Sequence, residues 1–321
     1  MTLVHDLAIS MGLALLATCA AAAPVTPTAT PTPKTALKAP AGVIIEQDVS
    51  YLSPGREEKL DLYLPADRPL SARSPAVVII HGGGWRSGDK AAGREFNIGT
   101  NLAKAGYVCA SVNYTLELGN CWPTDLYDCK NAVRFLRANA WKYHIDPYHI
   151  GVIGGSAGGH LALMVAYTST VPELEPPAPY PGISDKVSAV VDLYGITNLL
   201  SCMRTGKNGV PTKQPMLNWS ILKDPKFRND REAWKLASPY YQATKTSPPT
   251  LILHGTADTT VDRNQATELA AKLKELGVEH QIYMLDGIGH TFDLETWNKK
   301  PLPIDVRSIV IAFFDKHLKA R

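Results

Sequence analysis

The sequence is short of charge of either sign. Lys and Arg total 33 and Asp and Glu total 30, so the formal net charge over 321 residues is only +3. A near-neutral chain without a basic stripe argues against nucleic acid as its partner. Cysteine is also scarce, with five residues and no C-x-x-C pair. That spacing excludes a ribbon-type zinc site and a thioredoxin-like redox centre. No H-E-x-x-H occurs, and neither G-x-x-x-x-G-K-[ST] nor G-x-G-x-x-G fits a glycine cluster, so a zincin helix and a phosphate-cradling loop are not expected. Beyond residue 23 no apolar run is long enough to span a bilayer.

What is present is ordinary globular composition: 45% hydrophobic and 20% charged residues. A chain of this size can bury a large core without disulfide or metal staples. Length alone suggests two domains at about 150 residues each, but residues 43–321 show no internal boundary or repeat, which favours one. The first forty residues differ. Residues 7–23 are apolar and end in Ala20-Ala21-Ala22, so 1–23 reads as an export signal with an A-x-A-like cleavage site, although its n-region lacks Lys and Arg. Lipid anchoring at Cys19 is the lesser alternative. Residues 24–42 are rich in Pro, Thr and Ala and read as a disordered tether. The expected location is therefore secreted or periplasmic. Export permits disulfides, and Cys121 with Cys129 is the expected pair by separation; Cys109 reads as a core thiol, and the pairing of Cys202 stays open.

From residue 43 on, strand-like and helix-like segments alternate, the signature of a mostly parallel sheet covered on both faces. Strands are expected over 43–49, 59–64, 75–80, 107–112, 150–153, 187–193, 250–253 and 281–285, which gives a central sheet of about eight. Helices are expected over 124–141, 160–167, 264–276 and 304–319, with Leu126, Cys129, Val133, Leu136 and Ala140 on one face of the first. Gly277 reads as a helix stop. Residues 199–236 are long, polar and marked by Pro and Gly, and read as a lid-like insertion.

Four motifs carry chemistry. Gly154-Gly155-Ser156-Ala157-Gly158 fits G-x-S-x-G between a strand and a helix, a sharp turn that exposes a serine hydroxyl. His81-Gly82-Gly83-Gly84-Trp85 follows the strand 75–80. Its glycines let backbone N–H groups approach a ligand, and acyl transfer develops negative charge that such donors stabilise. Gly83, Gly84 and the N–H of Ala157 are the expected oxyanion hole. His254-Gly255-Thr256-Ala257-Asp258 and Gly287-Ile288-Gly289-His290 each follow a strand. A serine nucleophile needs a base, and the base needs an orienting carboxylate. The expected set is Ser156, Asp258 and His290, which meet at the carboxyl edge of one sheet. Asp262 competes for the acid role, but its position suits a helix cap. His144, Asp146 and His149 fit a turn better than a metal site. Trp85, Trp122 and Trp219 are candidates for lining a sugar or aryl pocket, with core or surface packing as the alternative.

HGGGW, VNYTL, DCKNAVRFLRANAWKYHIDP, IGVIGGSAGGHLAL, ILHGTADTTV and GIGH together resemble an α/β-hydrolase serine esterase over about 45–319. The resemblance is greatest to bacterial acetyl xylan and feruloyl esterase-like enzymes, related to hormone-sensitive-lipase-like esterases. It implies an α/β-hydrolase fold, the triad Ser156, Asp258 and His290, and no metal or organic cofactor. The implied activity is hydrolysis of acetyl or hydroxycinnamoyl esters of plant polysaccharide through an acyl-enzyme. Two departures stand out. The lipase-like branch carries Asp where Gly155 stands, and its Tyr-Arg-Leu-Ala-Pro-Glu segment is here 114–119, YTLELG. Both favour the carbohydrate-esterase side. A short-chain carboxylesterase or lipase, a serine peptidase, and a non-catalytic binding protein on the same scaffold remain as alternatives. Oligomeric state is not legible.

Overall fold

The structure is a computed structural model that describes residues 37–67, 72–116, 121–205, 211–215, 221, 227 and 230–319. The expected export signal at 1–23, most of the expected tether, Cys19 and Trp219 lie outside the described residues. From Leu37 onward the chain forms one compact unit.

An eight-stranded sheet runs through the molecule. Its strands are β1 (Val43–Ser50), β2 (Lys59–Pro65), β3 (Ser74–Ile80), β4 (Val108–Val112), β5 (Ile145–Gly155), β6 (Ala189–Leu193), β9 (Thr250–Gly255) and β10 (His280–Leu285). Their spatial order is β1-β2-β4-β3-β5-β6-β9-β10. β1 pairs antiparallel with β2 and β2 with β4; every other pairing is parallel. The sequence patterns explain the placement. β1, at the edge, alternates buried and open positions, with Val43 inside and Ile44 half exposed. β3 is the continuous run Pro-Ala-Val-Val-Ile-Ile, buried on both faces.

Helices cover both faces. On one, α2 (Thr124–Ala138), α3 (Ala157–Tyr167) and α6 (Asn264–Leu276) pack Leu126, Val133, Leu161, Leu269 and Leu273 against Ala76, Val78, Ile80 and Val152. On the other, α1 (Gly93–Lys104) and α7 (Val306–Leu318) pack Ile98, Leu102, Val310 and Phe314 against Val77, Ile79, Ile153 and Leu253. Alternate residues of one strand thus feed two cores. Gly277 ends α6 at φ +70, as a C′ glycine does. Asp305 caps α7 by accepting from the Ser308 N–H at 3.0 Å.

The insertion expected at 199–236 contains, where described, an antiparallel pair β7 (Met203–Thr205) and β8 (Pro211–Pro215), then α4 (Arg231–Leu236). The short α5 (Pro239–Gln242) follows, and β11 (Thr296–Trp297) pairs with β12 (Lys300–Pro301) after the last sheet strand.

Two expectations need correction. No helix was expected over 93–104, where α1 lies; its polar Asn97 and Asn101 look unhelical in sequence but bind the Glu295 carboxylate at 2.7 and 3.1 Å. Cys121 and Cys129 are not joined. All four described cysteines are buried thiols. The Cys121 thiol lies 3.8 Å from the Trp85 carbonyl, while Cys129 faces the core from α2.

Candidate active site

The site is built where β3, β5, β9 and β10 end. Ser156 sits between β5 and α3 at φ +58 and ψ −124. A non-glycine residue there is strained, and the surroundings hold it. Ser156 N–H donates to the Leu193 carbonyl at 2.9 Å, and its own carbonyl accepts from His160 N–H at 3.0 Å. The flanking glycines are required by space. A Cβ on Gly154 would lie 2.1 Å from the Gly158 carbonyl oxygen, and one on Gly158 would lie 2.1 Å from that of Ile80.

His290 and Asp258 arrive on neighbouring loops tied together at the ends of β9 and β10. Thr256 N–H donates to Leu285 and Ala257 N–H to Ile288, each at 2.9 Å. His290 Nε2 lies 2.9 Å from Ser156 Oγ, and His290 Nδ1 lies 2.7 Å from Asp258 Oδ2. A carboxylate only accepts, so Nδ1 carries the proton and Nε2 is left to accept from the serine. The other Asp258 oxygen accepts from the Thr260 and Val261 N–H groups at 2.7 and 2.9 Å. Burial alone would raise the Asp258 carboxyl, which has no solvent exposure. Hydrogen bonds from His254 and His290 outweigh that and hold it well below the usual carboxylate range.

The glycine loop lies alongside. Gly83 has φ +121 and Gly84 φ +63. A Cβ on Gly83 would meet the Ser87 carbonyl oxygen at 1.9 Å, so only glycine fits. Ala157 opens α3, where helix N–H groups have no partner within the helix. Downstream of the glycine loop, Asn113 of the VNYTL segment holds the chain at 89–90: its Oδ1 accepts from Lys90 N–H at 2.6 Å.

The tryptophans divide. Trp85, at φ +58 and 2% exposed, lines a small cavity that Ser156 also borders. Trp122 is buried and packs against the His160 ring, with centroids 6.2 Å apart; it is not among the residues bordering that cavity. Asp262 accepts from the Asn264 N–H at the start of α6. Asp146 binds His149 and the Tyr148 N–H within one turn. Among the described residues no cluster of His, Cys, Asp and Glu is arranged to hold a metal ion.

The chain is similar to known proteins in sequence and in fold. Residues 60–273 match the BD-FAE family model. The chain belongs to the BD-FAE family. It is also similar to the probable carboxylic ester hydrolase LipM of Mycobacterium tuberculosis, at 32% identity over 251 residues, which are 77% of this chain and 56% of that protein. The chain thus spans little more than half the length of the curated relatives it matches. Among solved structures, a truncated carbohydrate esterase from gut microbiota superposes with a TM-score of 0.73 at 28% identity, covering 87% of this chain and 99% of that one. The propionate-bound esterase Est2 of Thermogutta terrifontis gives 0.68 at 26%, covering 88% and 97%. The sheet of this BD-FAE member is that of an α/β-hydrolase fold.

Two supporting residues lie outside the motifs, and a third, His254, lies within one that gives it no role. Tyr194, at φ +46, packs its ring 4.8 Å from that of His290 and donates its hydroxyl to the Phe292 carbonyl at 2.7 Å. Arg94 donates to the same hydroxyl at 2.9 Å. This pair also accounts for Gly155 in this BD-FAE chain: a Cβ there would lie 2.7 Å from the Tyr194 hydroxyl and 3.1 Å from Arg94 Nη1. His254 places Nε2 3.2 Å from Asp258 Oδ2 and 3.3 Å from the Val261 carbonyl. Both are acceptors, so that nitrogen carries a proton.

Proposed function

We propose that the protein is a serine carboxylesterase that hydrolyses acyl esters of carbohydrate through an acyl-enzyme. The observation that carries the reading is the unbroken relay Ser156–His290–Asp258, with contacts of 2.9 and 2.7 Å beside a glycine loop. His290 Nε2 takes the Ser156 proton as Oγ attacks the ester carbonyl. The tetrahedral oxyanion is stabilised by the N–H groups of Gly83, Gly84 and Ala157. His290 then returns the proton to the leaving alcohol, which departs and leaves the acyl group on Ser156. Water attacks this ester, again losing its proton to His290, and the acid and free serine are restored. Asp258, held charged, keeps the imidazole in the tautomer that accepts from serine and stabilises it once protonated.

The acyl group proposed is acetyl or hydroxycinnamoyl, and the alcohol a plant polysaccharide. The structural similarity to a carbohydrate esterase supports the sugar side. We place the enzyme outside the cytoplasm on the apolar run 7–23 and the Pro-rich segment after it. A fluorophosphonate probe tests the chemistry: it is expected to label one serine, Ser156, by peptide mass mapping. Labelling elsewhere, or none, would contradict the reading.

A further inference from the structure

A cavity of about 20 Å³ opens beside Ser156. Gly84 and Ser156 border it, and the rest of its described wall is Trp85, Ile196, Leu199, Cys202, Trp234 and Val261. Its volume holds roughly one or two water-sized groups, and its described wall is almost wholly apolar.

Position and chemistry decide which half of an ester it receives. A carbonyl carbon bonded to Ser156 Oγ, with its oxygen turned to the glycine loop, has two remaining substituents. The leaving oxygen must face His290 Nε2, which protonates it. His290 is not among the residues that line the cavity, so the cavity lies under the acyl substituent. A sugar hydroxyl would lose its water there without a partner, which is costly; a methyl group would not.

The wall cannot easily retreat. Trp85 Nε1 donates to His160 Nδ1 at 3.3 Å, and Trp234 Nε1 donates to the Phe227 carbonyl at 2.8 Å. Leu199 N–H donates to Ser238 Oγ at 3.0 Å, and that hydroxyl donates to the Trp234 carbonyl at 2.6 Å. Thr197 and Asn198 N–H groups both donate to the Gln265 side-chain oxygen on α6, at 2.9 and 2.8 Å. Widening the cavity breaks several of these bonds together.

We infer that this cavity is the acyl site and acts as a size filter, admitting acetyl and at most propionyl and excluding the hydroxycinnamoyl group. The inference rests on the esterase reading and narrows it to removal of short acyl groups. Leu199 and Ile196 are then specificity-determining residues that take no part in the proton relay.

The test compares kcat/KM of the full chain on p-nitrophenyl acetate, propionate, butyrate and hexanoate, and on methyl ferulate. Acetate and propionate are expected to lead. Butyrate should fall about 10–100-fold below propionate, the scale of a misfitting methylene in a tight apolar pocket, and methyl ferulate should show no turnover above background. Leu199→Ala and, separately, Ile196→Ala should raise the butyrate-to-acetate ratio about 10-fold. Comparable rates on acetate, hexanoate and methyl ferulate would overturn the filter and leave the esterase reading standing. So would an unchanged ratio in both variants. Hydrolysis of none of these esters would overturn both.

Discussion

At the residue scale, the charge state of Asp258 is the setting on which the relay depends. Four hydrogen-bond donors converge on this buried carboxylate: His290 Nδ1, His254 Nε2 and the N–H groups of Thr260 and Val261. Replacing it by Asn keeps the shape but lets the amide donate to Nδ1. The imidazole then takes the wrong tautomer, with its proton on Nε2 facing the serine. Asp258→Asn is expected to lower kcat about 10⁴-fold with a near-normal melting temperature; a loss under tenfold would contradict the acid role. Ser156, Asp258 and His290, whose side chains the structure brings into contact, could be picked out as candidates because each follows a strand within a glycine-containing motif, a pattern local to the sequence. Tyr194, Arg94 and the donor role of His254 were not. Arg94 meets the Tyr194 hydroxyl across 100 residues, and no local pattern records that meeting. His254 stood in plain view within HGTAD, but nothing in the string says that its ring turns toward Asp258.

At the scale of elements, α3 and the segment after α4 are joined through one histidine. His160 Nε2 donates to the Ala237 carbonyl at 2.7 Å, and Nδ1 accepts from Trp85. Burial pushes its imidazole down to about 4, against the raising effect of the bond to Ala237. The folded chain keeps His160 neutral, while the unfolded chain takes up a proton below about pH 6.5. Between about pH 6.5 and 4 the unfolded state binds more protons, so this group removes stability as pH falls, by up to about 3 kcal/mol. Below about pH 4 both states are charged at this site and no more is lost. Urea unfolding at pH 7.5, 5.5 and 4.5 should show the decline, and His160→Gln should flatten it. An unchanged slope in that variant would contradict the assignment. Element types were legible where the apolar pattern was strong, as in the unbroken run of β3 and the single apolar face of α2. α1 was missed because Gly93, Asn97 and Thr100 dilute its apolar stripe, and the compensating bonds to Glu295 come from the far end of the chain. The Cys121–Cys129 pairing failed for a related reason: separation along the chain carries no information about where two Cβ vectors point.

At the scale of the whole molecule, the sheet is what makes a site from distant segments. The glycine loop leaves β3, Ser156 follows β5, and Asp258 and His290 follow β9 and β10. Spatial order places β5 between β3 and β6, and β9 and β10 follow at the edge. Parallel pairing puts the carboxyl ends of all these strands on one side, so residues from 83 to 290 converge without a second domain. That convergence followed from motif order and strand alternation alone. The cavity beside Ser156 did not, since Ile196, Leu199, Trp234 and Val261 become neighbours only through loops that no period marks. The central claim is that this assembly serves one hydroxyl. Turnover of p-nitrophenyl acetate by Ser156→Ala, folded to the same melting temperature as the parent chain, tests it most directly. The expected kcat is about 10⁶-fold lower, the scale set by loss of a serine nucleophile; turnover within tenfold of the parent would contradict the mechanism.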